Sequence, residues 1–168
     1  MKIVGLIPYW VGYQLGEGGA HKNLKVLGGR YLINYSLRAL SLVNRLEQVY
    51  VYASDKSILD YTDDTLPFDF LERPKFLDAD DVSIEDIIDV FLKDTDADIV
   101  VLLHPNSPFL RSSTINDCLD KVLLGGFDSA FTAYECKKLA WYQGEPLNYS
   151  LEDPTPQLNA LAPVILEQ

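Results

Sequence analysis

Apolar residues recur along the chain in two alternating patterns. "KIVGLI" (2–7) is an unbroken apolar run stopped by Pro8, which predicts a strand buried on both faces. "RYLINYSLRALSLV" (30–43) has the 3.6-residue period of a helix. "QVYVYAS" (48–54) is β-branched and aromatic and reads as a second buried strand. "DKSILDY" (55–61) predicts a short helix, and "FDFLERP" (68–74) a short strand ending in a Pro-terminated loop. In "SIEDIIDVFLK" (83–93), Ser83 and Asp86 stand at capping-box spacing, with Asp replacing the usual Glu. Ile84, Ile87, Ile88, Phe91 and Leu92 then form the stripe of an amphipathic helix. "DIVVLLH" (98–104) is the strongest strand signal. "TINDCLDKVLL" (114–124) repeats the cap and stripe, with Ile115, Cys118, Leu119, Val122 and Leu123 inward. "FDSAFTAYE" (127–135) reads as one more strand.

Alternating strands and helices predict an α/β fold: a mostly parallel sheet in three layers, with helices on both faces. Strands are expected near 2–7, 48–53, 98–103 and 128–134. Ligands of such sheets sit outside the carboxyl ends of the strands. Those ends are Pro8–Gly19, Ser54–Asp55, His104–Arg111 and Tyr134–Lys138. After Lys138 the period is lost and prolines accumulate. Residues 1–138 therefore read as the α/β domain, and 139–168 as an extension that packs on something else. Trp141, Tyr142, Leu147, Tyr149 and Leu151 would lie exposed on it together, which marks an interface.

Bulk properties narrow the function. A chain of 168 residues with 48% hydrophobic and 23% charged residues forms one sizeable core. A net charge of −11 argues against nucleic-acid and anionic-membrane partners, though not against a nucleotide, which needs only a local patch. No apolar run reaches membrane-spanning length, and the N-terminus does not read as a signal segment. Cys118 and Cys136 lack metal-ligand spacing and read as reduced thiols of a cytoplasmic protein.

The candidate chemistry lies between the first strand and the first helix. "LIPYWVGYQLGEGGAHKNLKVLGG" carries Gly12, Gly16, Gly18 and Gly19 in a long loop. Such loops present backbone N–H groups to phosphates. Yet Tyr9 to His21 contain no Lys or Arg. Lys22 is the first cation available to meet phosphate as a point charge.

Short motifs in order then carry a resemblance. "IP" ends the first strand. "KNLKVLGG" (22–29), "YASD" (52–55), "RP" with "DDVS" (73–83), "DIVVLLHPNSPFLR" (98–111), "DSAFTA" (128–133) and "GEPLNY" (144–149) follow. The series resembles the acylneuraminate (CMP–sialic acid) cytidylyltransferases along nearly the whole chain. That resemblance implies a nucleotidyltransferase, glycosyltransferase-A-like fold. It implies transfer of CMP from CTP to a sialic-acid-like nonulosonic acid, with Mg²⁺, by a homodimer formed through the extension.

Residue by residue, the resemblance assigns Gly12, Gly18, Gly19, Lys22 and Asn23 to the phosphates, with Lys22 and Asp55 as catalytic candidates. Arg73 and Ser83 match the cytosine and ribose contacts. His104, Ser107, Arg111 and Gln157 fall on the sugar side. Bland readings stand beside these. Lys22 also reads as a surface lysine, Asn23 as a turn residue, Asp55 as a solvated helix start and Ser83 as a helix cap. His104 also reads as a structural strand-end histidine, and Arg111 as a surface residue before a helix.

The departures point the other way. The family's first loop carries an arginine and a further lysine that "YWVGYQLGEGGAH" lacks. "PTPQ" (154–157) keeps Gln157 but has Thr155 where the family has Arg. The C-terminal aspartates that hold Mg²⁺ in the family have no counterpart, so the metal ligands are unassigned. A chain so altered is expected to have little or no cytidylyltransferase activity. The alternative is a non-catalytic nucleotide-binding or subunit-interaction module with the same fold.

Overall fold

The computed structural model describes residues 1–9 and 24–167. They fall into two compact units, Met1–Asn116 and Asp117–Gln168.

In the first unit, β1 (Ile3–Tyr9), β4 (Gln48–Ala53), β5 (Asp69–Glu72) and β6 (Ile99–Leu102) form one sheet in the order β5-β4-β1-β6. Every pairing in it is parallel. All seven residues of β1 are buried, as its unbroken apolar run requires. The two faces take different helices. Val4 and Leu6 of β1 and Tyr52 of β4 pack with Ile87 and Phe91 of α2 (Ile84–Thr95). Phe91 meets the rings of Tyr50 and Tyr52 edge-on, with centroids 5.5 and 5.3 Å away. Gly5 faces the opposite way, toward Leu40 of α1 (Leu32–Ser41), Leu46 and Val49. A Cβ at Gly5 would stand 3.3 Å from side-chain carbons of all three, so this residue sets how closely α1 approaches the sheet. The three-layer parallel α/β architecture expected from the alternation is present.

The local signals are largely realised. The Ser83 hydroxyl accepts from the Asp86 N–H at 3.1 Å, and the Asp86 carboxylate accepts from the Ser83 N–H at 3.0 Å. Both halves of the capping box are therefore made. Residues 55–61 form a 3-10 turn over Lys56–Tyr61 with Asp55 as its cap. The helix α3 (Ser112–Leu123) starts two residues before the expected Thr114 and buries Ile115 and Leu119.

Two expectations need correction. The helix read over 30–43 begins only at Leu32, because Arg30–Tyr31 (β3) pairs antiparallel with Val26–Leu27 (β2). Gly28 and Gly29 form the connecting turn at φ 55° and 81°, a conformation that favours glycine at both positions. The strand expected near 128–134 is displaced. The described strand is β7 (Ala133–Cys136), and it does not join the parallel sheet. It pairs antiparallel with β10 (Val164–Glu167) in the second unit. A strand needs a ladder partner as well as β propensity. Phe127 and Phe131, which suggested the strand, are 59% and 62% exposed.

The second unit also contains a hairpin of β8 (Trp141–Tyr142) and β9 (Glu145–Pro146). Gln143 and Gly144 make its turn at φ 51° and 88°. Asn148 braces it, accepting from the Ala140 N–H at 3.0 Å and donating to the carbonyls of Lys138 and Ala162.

Candidate functional site

The sheet order places the candidate site. From β1 the chain moves to β4 and then β5 on one side, and it returns to β6 on the other side of β1. The order therefore reverses between β1 and β6. Outside the carboxyl ends at such a reversal is the usual ligand crevice of open parallel sheets. Four neighbouring ends form this edge: Tyr9, Ala53, Glu72 and Leu102. At normal strand spacing they span about 14 Å.

Asp55, Arg73 and His104 follow three of these ends directly. Asp55 is exposed, and its carboxylate accepts the Ser57 N–H at 2.8 Å. That backbone hydrogen bond, with a further one from the Ser57 side chain, holds its pKa below the usual aspartate value. It stays charged at neutral pH.

Arg73 extends the β5–β4 ladder through its N–H, which donates to the Ala53 carbonyl at 2.9 Å. Its side chain is 1% exposed and ion-pairs through Nη2 with Asp78 Oδ1. A buried arginine at a strand end is thus held by a carboxylate from the next turn, the 3-10 segment Lys75–Asp78.

His104 keeps exposed surface, yet partial desolvation lowers its pKa from the ordinary value. Its carbonyl accepts from the Ser36 hydroxyl of α1 at 3.2 Å and from the Ser107 N–H at 3.3 Å. The 104–110 turn is thereby tied to the helix that follows β1. Ser107 is half-buried in this turn and accepts from the Leu110 N–H at 3.3 Å. Arg111 is exposed, and its carbonyl accepts from Ile115 at the start of α3.

Ser83 begins the helix that runs from the β5 side back toward β6, so it also lies at the carboxyl edge. Its hydroxyl is engaged in the cap. Gln157 is exposed in the second unit. Gly12, Gly18, Gly19, Lys22 and Asn23 lie outside the described residues. Among the described residues, no group of three His, Cys, Asp or Glu side chains is placed to hold a metal ion. Asp55 offers one exposed carboxylate, which fits a Mg²⁺ carried largely by substrate phosphates and not a protein-built cage.

Sequence reasoning passed over Tyr9. Its hydroxyl is buried and has no hydrogen-bond partner among the described residues. Burial pushes its pKa up to about 12, with Tyr61 adding to the shift. Its place directly after Ile7-Pro8 was the available signal.

Comparison with known proteins agrees with this fold. The Cytidylyltransferase family model matches residues 20–145, most of the chain. No curated protein sequence matches. Among solved structures, the chain is similar to a CMP:2-keto-3-deoxy-manno-octonic acid synthetase complexed with CTP. The TM-score is 0.58 at 18% identity, covering 79% of this chain and 51% of that one. It is similar to the bifunctional IspDF of Campylobacter jejuni, with TM-score 0.63, 12% identity and coverage of 100% and 39%. It is also similar to 4-diphosphocytidyl-2C-methyl-D-erythritol synthase of Anaerococcus prevotii, with TM-score 0.62, 16% identity and coverage of 99% and 67%. The chain thus spans about half the length of the first structure and less of the second. No described helix is long and apolar enough to cross a membrane.

Proposed function

We propose, since the chain belongs to the cytidylyltransferase family, that it binds CTP at the carboxyl edge of the β5-β4-β1-β6 sheet. The carrying observation is that Asp55, Arg73 and His104 all follow carboxyl strand ends of one parallel sheet, on the two sides of β1. In this reading, Lys22 and the glycines Gly12, Gly18 and Gly19 contact the triphosphate, with Asn23 beside them. Arg73 and Ser83 define the cytidine end. Asp55 holds a Mg²⁺ that arrives with the phosphates, and the ion supplies charge neutralisation on the leaving pyrophosphate.

The acceptor we propose is a sialic-acid-like nonulosonic acid, a sugar acid chemically akin to the octonic acid named for the similar synthetase. His104, Ser107, Arg111 and Gln157 are its proposed contacts. His104 is the residue suited to hold the acceptor hydroxyl, because partial desolvation lowers its pKa and favours the neutral imidazole, which can accept a hydrogen bond. Lys22 and Asp55 are the proposed catalytic residues. Transfer by this chain is slow, because the loop from Tyr9 to His21 carries no Lys or Arg and Thr155 stands in place of a sugar-side arginine. A module that binds nucleotide without turnover is the second reading, and the same two features favour it.

Isothermal titration of CTP and UTP, with and without Mg²⁺, tests the reading. CTP should bind, UTP should bind more weakly, and Mg²⁺ should strengthen both. Lys22→Ala should weaken CTP by roughly tenfold, the size of one charge-assisted contact. If CTP gives no heat of binding at millimolar concentration, the proposal fails.

We further propose that residues 139–168 pack on a second copy of the chain. Trp141, Tyr142, Leu147 and Leu151 are 54%, 64%, 55% and 65% exposed, a concentration of apolar surface that usually marks an interface. Sedimentation equilibrium at micromolar concentration should show a dimer. A monomer there rules out the interface.

A further inference from the structure

The turn after β5 displays one aromatic ring in an unusual setting. Phe76 is 66% exposed, while Arg73 and Leu77 around it are each 1% exposed. The backbone beneath it is fixed on both sides. The Arg73 N–H donates to the Ala53 carbonyl, and the Leu77 N–H donates to the Pro74 carbonyl at 3.0 Å. The Arg73–Asp78 ion pair closes the same short segment. The turn therefore holds the Phe76 ring outward without help from the ring's own burial.

Single exposed apolar side chains are ordinary on protein surfaces. Three features set Phe76 apart: it follows a strand end on the ligand edge, it stands three residues after Arg73, and its turn is rigid. A ring so placed can receive a flat partner without displacing packed neighbours. A pyrimidine base offers such a partner, since every base has a π-face.

We propose that Phe76 is the stacking platform for the nucleobase, holding the cytosine ring over the turn that the buried Arg73–Asp78 pair closes. This rests on the CTP-binding reading above and adds a residue to that site. The interaction is made to the base and not to the phosphates, so it predicts a separation that a general disturbance would not produce.

The test is calorimetric binding of three probes, CTP, cytidine and inorganic tripolyphosphate, to the wild-type chain and to Phe76→Ala and Phe76→Tyr. Phe76→Ala should weaken CTP and cytidine by about tenfold, the scale of one base–aromatic stack. It should leave tripolyphosphate unchanged, and its melting temperature should match wild type. Phe76→Tyr should bind all three probes like wild type. If wild type binds CTP and Phe76→Ala binds it equally well, the stacking role is wrong while the CTP site stands. Equal weakening of CTP and tripolyphosphate also overturns the stacking role. A wild type that binds no CTP overturns both.

Discussion

Arg73→Ala should cost the first unit about 3 kcal/mol of unfolding free energy, the lower end of the range for breaking a buried ion pair. The guanidinium is buried at the end of β5, and its partner Asp78 keeps 35% of its side-chain surface. Solvent at Asp78 moderates the penalty of leaving that carboxylate alone, which places the loss at the low end. The truncation also empties the space the long side chain fills between β5 and the following turn. Arg73→Met keeps most of that volume but leaves Asp78 equally unpaired, so it should recover only the packing part of the loss. The Met variant therefore separates two roles. If Arg73 reads cytosine, Arg73→Met stays folded yet loses the preference for CTP over UTP. Chemical denaturation followed by nucleotide titration checks both. An Arg73→Ala variant within about 0.5 kcal/mol of wild type, the range of ordinary surface substitutions, contradicts the assigned packing role.

The second large effect is on turnover. With CTP, N-acetylneuraminic acid and excess Mg²⁺, pyrophosphate release should run at least a hundredfold below the ~1 per second of an ordinary enzyme. Attack of a sugar hydroxyl on the α-phosphate builds negative charge on the leaving pyrophosphate. Cations placed before the reaction do most to stabilise such charge. Between Tyr9 and His21 this chain supplies none. Each absent charge-assisted contact is worth ~1.5–3 kcal/mol, and in the proposed reading Thr155 withholds a second one on the sugar side. Among the described residues, no three His, Cys, Asp or Glu side chains gather to hold a metal ion, and a single carboxylate such as Asp55 holds Mg²⁺ weakly. Turnover near ~1 per second or faster would show that other residues of the chain supply the missing charge.

Much of the fold was legible because its signals are local. An apolar run of this length stopped by a proline is too short for a core helix and reads as a strand covered on both faces, and β1 is buried throughout. Ser83 and Asp86 announce a helix start through atoms three residues apart, and the reciprocal bonds form there. The errors lie where the deciding partner is distant or where the turn chemistry was passed over. Ala133–Cys136 is a strand because Val164–Glu167 pairs with it, and no local pattern in 127–135 specifies that ladder. Gly28-Gly29 between Val26-Leu27 and Arg30-Tyr31 was a readable hairpin signal, overshadowed by the helical period that follows. The site divides similarly. The strand ends at 55 and 104 follow from alternation alone. The burial of Arg73 against Asp78, and the outward ring of Phe76 between them, depend on how one short turn packs.

CTP should bind outside the carboxyl ends of the parallel strands. Amide hydrogen exchange with saturating CTP and Mg²⁺ tests it directly. Exchange should slow in peptides covering Ala53–Ser57, Glu72–Leu77 and Leu103–Pro108. Exchange at the opposite edge, around Lys2, Gln48 and Asp98, should not change. Protection confined to that opposite edge, or bound CTP with no protection at the three strand ends, would contradict it.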